Sequence, residues 1–179
     1  GSGSLNLSTG AALLAAACGL QVAKHGNRSI SSRSGSSDVL AALGVPTDGP
    51  ALRSGFVATG FAYLHAPAYH PAMAAIAPVR RALGVRTVFN LVGPLCSPAR
   101  PSHQVLGVAR PDDARLVARA LADLGGTGLI VHGTNGWDEA TPVAPFLCLT
   151  VRDGEVTEST RDPLDAGIAR CHPAELLGG

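Results

Sequence analysis

Residues 104–132 read QVLGVARPDDARLVARALADLGGTGLIVH, and this stretch decides the fold. Gln104 to Val108 and Gly128 to His132 are short, nearly continuous apolar runs of strand length. Between them, from Asp112 to Leu124, apolar residues recur at three- and four-residue spacing, the period of a helix with one buried face. Asp112 and Asp113 stand in its first turn, where negative charge favours a helix N-terminus. A strand–helix–strand unit with continuous apolar strands predicts parallel pairing, covered by helices on both faces. The fold class expected is α/β with a mostly parallel sheet.

Downstream, Leu147-Cys148-Leu149-Thr150-Val151 followed by Arg152-Asp153-Gly154-Glu155 predicts a hairpin that turns at Asp153-Gly154. Some antiparallel pairing is therefore expected near the end, and the last fifteen residues read as loop bearing Pro and Gly. Upstream, Ser8 and Thr9 are placed to cap an alanine- and leucine-rich helix that runs to about Cys18 and stops at Gly19. Gln21-Val22-Ala23 reads as a short buried strand, and Lys24-His25-Gly26-Asn27-Arg28 as the loop that leaves it. A short helix is expected over Asp38 to Leu43, another helical stretch from Pro50, and a strand over Phe61 to His65. Pro71 and Pro78 each stand where a helix can begin.

A chain of 179 residues suits one domain. With 46% apolar and 15% charged residues and a mean hydropathy of +0.23, a disordered chain is excluded. The net charge of +1, from 14 Lys+Arg against 13 Asp+Glu, lacks the basic excess of a nucleic-acid binder, so no such partner is expected. The longest apolar run, Ala11 to Leu20, is about half a membrane span, and no leader pattern precedes it. No membrane partner is expected, and a cytoplasmic location is. Cysteines at 18, 96, 148 and 171 form no close pair; Cys18 and Cys148 read as small buried hydrophobes rather than metal ligands. Lys24 is the single lysine among the 14 basic residues.

In open parallel sheets, ligands bind at the carboxyl ends of strands. Three polar clusters fall in such places. Gly1 to Thr9 joins small residues to a helix N-terminus, an arrangement that admits a phosphate. Lys24 to Ser29, with Ser31 to Asp38 beyond, sets polar and glycine residues after a strand, which suits oxyanions. Asn135-Gly136-Trp137-Asp138-Glu139 offers two adjacent carboxylates, donors suited to Mg²⁺ shared with a phosphorylated substrate.

Several longer blocks go further. Lys24-His25-Gly26-Asn27-Arg28 with Ser34-Gly35-Ser36-Ser37-Asp38-Val39-Leu40, Tyr69-His70-Pro71-Ala72-Met73, Val79 to Leu95 and Gly136-Trp137-Asp138-Glu139 closely resemble the anthranilate phosphoribosyltransferases, in that family's order. The resemblance covers nearly all of residues 3 to 179. It implies a single α/β catalytic domain over 1–179, without the family's N-terminal helical domain, through which that family forms homodimers, and without its C-terminal segment. It implies a Mg²⁺-dependent transferase of tryptophan biosynthesis, which moves the phosphoribosyl group of phosphoribosyl pyrophosphate to the amine of anthranilate.

The site residues follow from the same resemblance. Gly3, Asn6, Ser8, Thr9, Lys24 and Ser36 match positions that hold phosphoribosyl pyrophosphate. Asn27 and Arg80 match positions that meet anthranilate, and His70 lines its route together with His25. His25 is also the candidate acceptor of the amine proton. Ser8, Asp138 and Glu139 match the metal ligands, with two Mg²⁺ ions expected. Two blocks depart from the pattern: Gly1-Ser2-Gly3-Ser4-Leu5 stands where the family has Gly-Thr-Gly-Gly-Asp, and Cys96-Ser97-Pro98 where it has Thr-Asn-Pro. The competing reading is a non-catalytic or inactive relative of the fold, either a truncated fragment or a nucleic-acid-binding homologue.

Overall fold

The computed structural model describes residues 6–27, 35–47, 49–85 and 87–177. The chain divides into two compact units, one of Gly1–Thr87, Ser97–Ala99 and Gly178–Gly179, the other of Val88–Cys96 and Arg100–Leu177.

In the first unit, α1 (Leu7–Ala17) leads into β1 (Val22–Gly26). Two helices, α2 (Ser36–Ala42) and α3 (Gly49–Thr59), precede β2 (Phe61–His65), and α4 (Ala66–Tyr69) and α5 (Pro71–Leu83) follow it. β1 and β2 pair in parallel, from Val22 opposite Phe61 to Gly26 opposite His65. Their core is small: Ala16, Leu40, Phe61 and Tyr63 are buried, with Ala12, Leu13, Val22 and Val45 packed against them.

Several local expectations change here. Asn6, not Ser8 or Thr9, caps α1, its Oδ1 accepting the Thr9 N–H at 3.2 Å. Ser8 and Thr9 therefore lie inside the first turn, and their hydroxyls bond elsewhere. Of α1 only Thr9 and Ala16 are buried, and Cys18, expected inside, is exposed together with Ala17 before it, because the buried stripe of this end of the helix is Ala16 alone. β1 is half-buried and begins after Gln21. It continues through Lys24, His25 and Gly26, because β2 offers ladder partners as far as His65 and backbone pairing outweighs polar composition. α2 starts two residues before Asp38, whose carboxylate accepts the Gly35 N–H at 2.8 Å and closes the first turn. Pro71 opens α5 as expected, whereas Pro78 lies within that helix.

The second unit contains α6 (Phe89–Val92), β3 (Gln104–Gly107), α7 (Pro111–Asp123), β4 (Gly128–His132), β5 (Phe146–Arg152) and β6 (Glu155–Arg161). The sheet order is β3-β4-β5-β6. β3 and β4 are parallel, joined by α7 as the sequence predicts. Ala114, Val117, Ala118, Leu121 and Ala122 form the buried face of α7, at the spacing of a helical stripe. They pack with Val108, Ile130, Leu149 and Val151 into the larger core. Cys148 is fully buried, as expected. Val105, on the face of β3 opposite Leu106, is 72% exposed, so the second helical layer does not extend over it.

β5 returns antiparallel to β4, and β6 antiparallel to β5. A parallel return needs a crossover of about a dozen or more residues, usually a helix, whereas residues 133–145 carry only the 3₁₀ turn Thr134–Gly136. The hairpin turns at Asp153 (φ 52°) and Gly154 (φ 79°), the paired positive values of a type I′ turn. The α/β class holds, with pairing divided between parallel and antiparallel ladders. Among the described residues, no helix is long and apolar enough to cross a membrane.

Candidate functional site

Parallel pairing of β1 with β2 brings their carboxyl ends together, and most of the expected site residues gather around that edge. Lys24, third in β1, donates from Nζ to the Ser8 hydroxyl at 3.0 Å. Thr9, 1% exposed, donates from its hydroxyl to that of Ser36 at 3.1 Å. Asn6 sits half-buried at the head of the same helix. The first turn of α1, the middle of β1 and the first residue of α2 are thus tied by side-chain hydrogen bonds between hydroxyls and one ammonium. Hydroxyls and an ammonium are donors of the kind an anion accepts from.

His25 follows Lys24 and faces His70 across the edge. Their Nε2 atoms stand 3.2 Å apart, with ring centroids at 5.1 Å and planes at 71°. Two Nε2 atoms at that distance share one proton: one ring donates and the other accepts. Burial lowers the pKa of His25, and the neighbouring His70 lowers it further. A neutral imidazole at neutral pH is the form that accepts a proton. His70 occupies the junction between α4 and α5, at the N-cap position of α5. Asn27 is exposed directly after β1, and Arg80 is half-buried on α5. Gly3 lies outside the described residues.

Asp138 and Glu139 belong to the second unit, in the segment after β4. Gly133 closes a tight loop there, its N–H donating to the Trp137 carbonyl at 2.8 Å. The loop then lies directly on two glycines. A Cβ on Gly107, at the end of β3, would overlap the Asp138 carbonyl oxygen, and one on Gly133 would overlap that of Glu139. Asp138 is exposed and Glu139 half-buried. These two glycines were not singled out from sequence, because a close backbone approach leaves no local signature beyond the glycine itself.

Among the described residues, no group of three or more His, Cys, Asp or Glu side chains is gathered to cage a metal ion. Two hard carboxylates alone fit a cation such as Mg²⁺, which keeps several waters and takes further oxygens from a phosphorylated substrate. Sequence reading also passed over Ser37, Tyr63 and His65. Ser37 and Tyr63 are buried, and their hydroxyls meet at 2.6 Å beside the same strand ends. The phenol of Tyr63 is raised above its usual pKa, by burial first and by the Asp38 charge in addition, against the opposing Ser37 hydrogen bond.

Residues 1–179 match the model of the glycosyl transferase family, a/b domain. An anthranilate phosphoribosyltransferase from Corynebacterium aurimucosum is 45% identical over 183 residues, covering 100% of this chain and 52% of that protein. The crystal structure of the Thermus thermophilus anthranilate phosphoribosyltransferase superposes with a TM-score of 0.88 at 47% identity, over 100% of this chain and 54% of that one. The Saccharomyces cerevisiae anthranilate phosphoribosyltransferase, solved in complex with PRPP and Mg, gives 0.87 at 28% identity, over 99% and 50%. The chain therefore spans about half the length of the relatives it matches. With a family model that fits from its first residue to its last, it belongs to the glycosyl transferase family, whose a/b domain it carries.

Proposed function

We propose that residues 1–179 form the single α/β catalytic domain of a phosphoribosyltransferase that joins anthranilate to the phosphoribosyl group of phosphoribosyl pyrophosphate. A bond forms between the anthranilate nitrogen and C1 of the ribose, the bond from C1 to the pyrophosphate oxygen breaks, and the amine loses a proton. The observation that carries this reading is the cluster of Ser8, Thr9, Lys24 and Ser36 beside the β1–β2 pair, where the Lys24 ammonium meets the Ser8 hydroxyl and the Thr9 hydroxyl meets that of Ser36, donors suited to an anionic diphosphate. The relatives' names and the yeast complex support it.

Asn6, Ser8, Thr9, Lys24 and Ser36 bind the sugar diphosphate, with Gly3 ahead of them. Lys24 supplies the positive charge, and the hydroxyls fix orientation, so that C1 is presented to the acceptor in one pose. Asp138 and Glu139 are proposed carboxylate ligands of Mg²⁺ and Ser8 a proposed hydroxyl ligand, with two ions in this reading. Such a cation would supply positive charge against that developing on the departing pyrophosphate. Anthranilate is a weak amine nucleophile, so leaving-group departure and positioning dominate its reaction. Asn27 and Arg80 hold the acceptor; the guanidinium fork matches its carboxylate in two parallel hydrogen bonds. His25, neutral through burial, receives the amine proton, with His70 sharing its Nε2 contact. The substrates are small molecules, the location is the cytoplasm, and a homodimer is the assembly that the family resemblance implies.

The test is consumption of anthranilate with phosphoribosyl pyrophosphate and Mg²⁺ in protein that carries this chain. Asp138→Ala with Glu139→Ala should abolish Mg²⁺-dependent binding of phosphoribosyl pyrophosphate by titration calorimetry. Unchanged affinity in the double variant removes the metal assignment, and an unaltered protein that ignores anthranilate but accepts another amine removes the substrate.

A further inference from the structure

Three groups outside the proposed ligands close the same edge of the β1–β2 pair. Ser37, the second residue of α2, is 7% exposed, and Tyr63 of β2 is fully buried. Their hydroxyls meet at 2.6 Å, and the Ser37 hydroxyl also lies 3.3 Å from Nδ1 of His65, the last residue of β2. One assignment satisfies all three groups. Tyr63 donates to Ser37, Ser37 donates to His65 Nδ1, and the imidazole carries its proton on Nε2.

A buried phenol and a buried hydroxyl each need a partner, and an apolar set of the same shape would impose no such need. What the polar set adds is direction. Hydrogen bonds fix angle and distance, whereas apolar packing tolerates small slides. The element so directed is the first turn of α2, since Ser37 belongs to it and both of its partners belong to β2. Ser36, the adjacent residue, is in turn met by the Thr9 hydroxyl at 3.1 Å.

We propose that Ser37, Tyr63 and His65 form a positioning chain that anchors the first turn of α2 to β2 and so sets the Ser36 hydroxyl for the diphosphate of phosphoribosyl pyrophosphate. The role rests on the reading of Ser36 as a diphosphate ligand. None of the three touches the substrate; each acts through Ser36.

The experiment measures binding of phosphoribosyl pyrophosphate with Mg²⁺, binding of anthranilate, and thermal unfolding, in protein that carries this chain. Ser37→Ala should weaken phosphoribosyl pyrophosphate binding about tenfold and Tyr63→Phe about fivefold, in line with a lost buried hydrogen bond. Anthranilate affinity should stay constant in both. Ser37→Thr, which keeps the hydroxyl, should restore binding to within about twofold. The double variant Ser37→Ala with Tyr63→Phe leaves no buried hydroxyl orphaned, so it should regain stability relative to Ser37→Ala alone while still binding phosphoribosyl pyrophosphate weakly. Recovery of both stability and affinity in the double variant overturns the positioning role. So does unchanged affinity in Ser37→Ala and Tyr63→Phe while Lys24→Ala binds poorly. If Lys24→Ala and Ser37→Ala both bind normally, the diphosphate site itself is misplaced, and the positioning role falls with it.

Discussion

The two units each contain one parallel strand pair, and they clothe it in opposite ways. Around β3 and β4, α7 contributes five apolar residues to a core completed by Val108, Ile130, Leu149 and Val151. Around β1 and β2, among the described residues, the buried cluster is Ala16, Leu40, Phe61 and Tyr63, the last a tyrosine whose hydroxyl is hydrogen-bonded. Thr9 and Ser37 are buried beside that small core. Buried polar groups displace apolar contacts that would otherwise stabilise the unit. The second unit holds its carboxylates differently: Asp138 and Glu139 ride on a loop pressed onto Gly107 and Gly133, outside the apolar core.

The contrast breaks most visibly under truncation in the larger core. Leu121 is 2% exposed, and Leu121→Ala should cost about 2–5 kcal/mol, read as a lowered denaturant midpoint. Phosphoribosyl pyrophosphate affinity of the folded fraction should remain. Lys24→Ala should show the reverse pattern, with stability altered by no more than about 0.5 kcal/mol and phosphoribosyl pyrophosphate binding weakened about tenfold or more. If Leu121→Ala abolishes binding while fully folded, or Lys24→Ala unfolds the protein, the division of labour is wrong.

Arg80→Lys sharpens the same contrast within the first unit. It should raise the KM for anthranilate about tenfold, on the order of 1.4 kcal/mol, with the KM for phosphoribosyl pyrophosphate constant. Arg81→Lys should do little, because the acceptor reading rests on Arg80 alone. Sensitivity at Arg81, or a joint rise of both KM values, shifts the acceptor site elsewhere.

The smallest effect concerns pH. His25 is held neutral in the folded state because burial, and then His70, lower its pKa. Unfolding restores the ordinary value, so on acidification the unfolded chain takes up the proton first. Stability from this group is complete above the ordinary histidine pKa and declines as pH falls through the lowered one. Melting temperatures from neutral pH to about pH 5 should fall less steeply in His25→Gln than in the unaltered protein. Equal slopes remove His25 as a source of the pH dependence.

Much of this was legible along the chain. The stripe from Ala114 to Ala122 has one solution, a helix with that face buried, and the flanking apolar runs have room only for parallel strands joined through it. Asp153-Gly154 dictates a hairpin because its turn needs two positive φ values. The resemblance in sequence also picked out Lys24, Ser8, Thr9 and Ser36, which the fold brings together. Residues 1–5 and 28–34, including Gly3 and part of the serine segment, stand outside that comparison.

Tertiary contacts decided the rest. Lys24-His25-Gly26 carries the composition of a loop and becomes strand because β2, far along the chain, lies beside it and supplies its backbone partners. β5 runs antiparallel because the segment before it contains no crossover helix, a fact about chain path rather than about β5's own residues. Tyr63, Ser37 and His65 are separately unremarkable in sequence and acquire meaning only through the 2.6 and 3.3 Å contacts that the Ser37 hydroxyl makes with the other two. Periodicity and turn chemistry are local, so one sequence determines them. Hydrogen bonds between distant side chains depend on two backbones arriving at the same place, and only the folded structure specifies that.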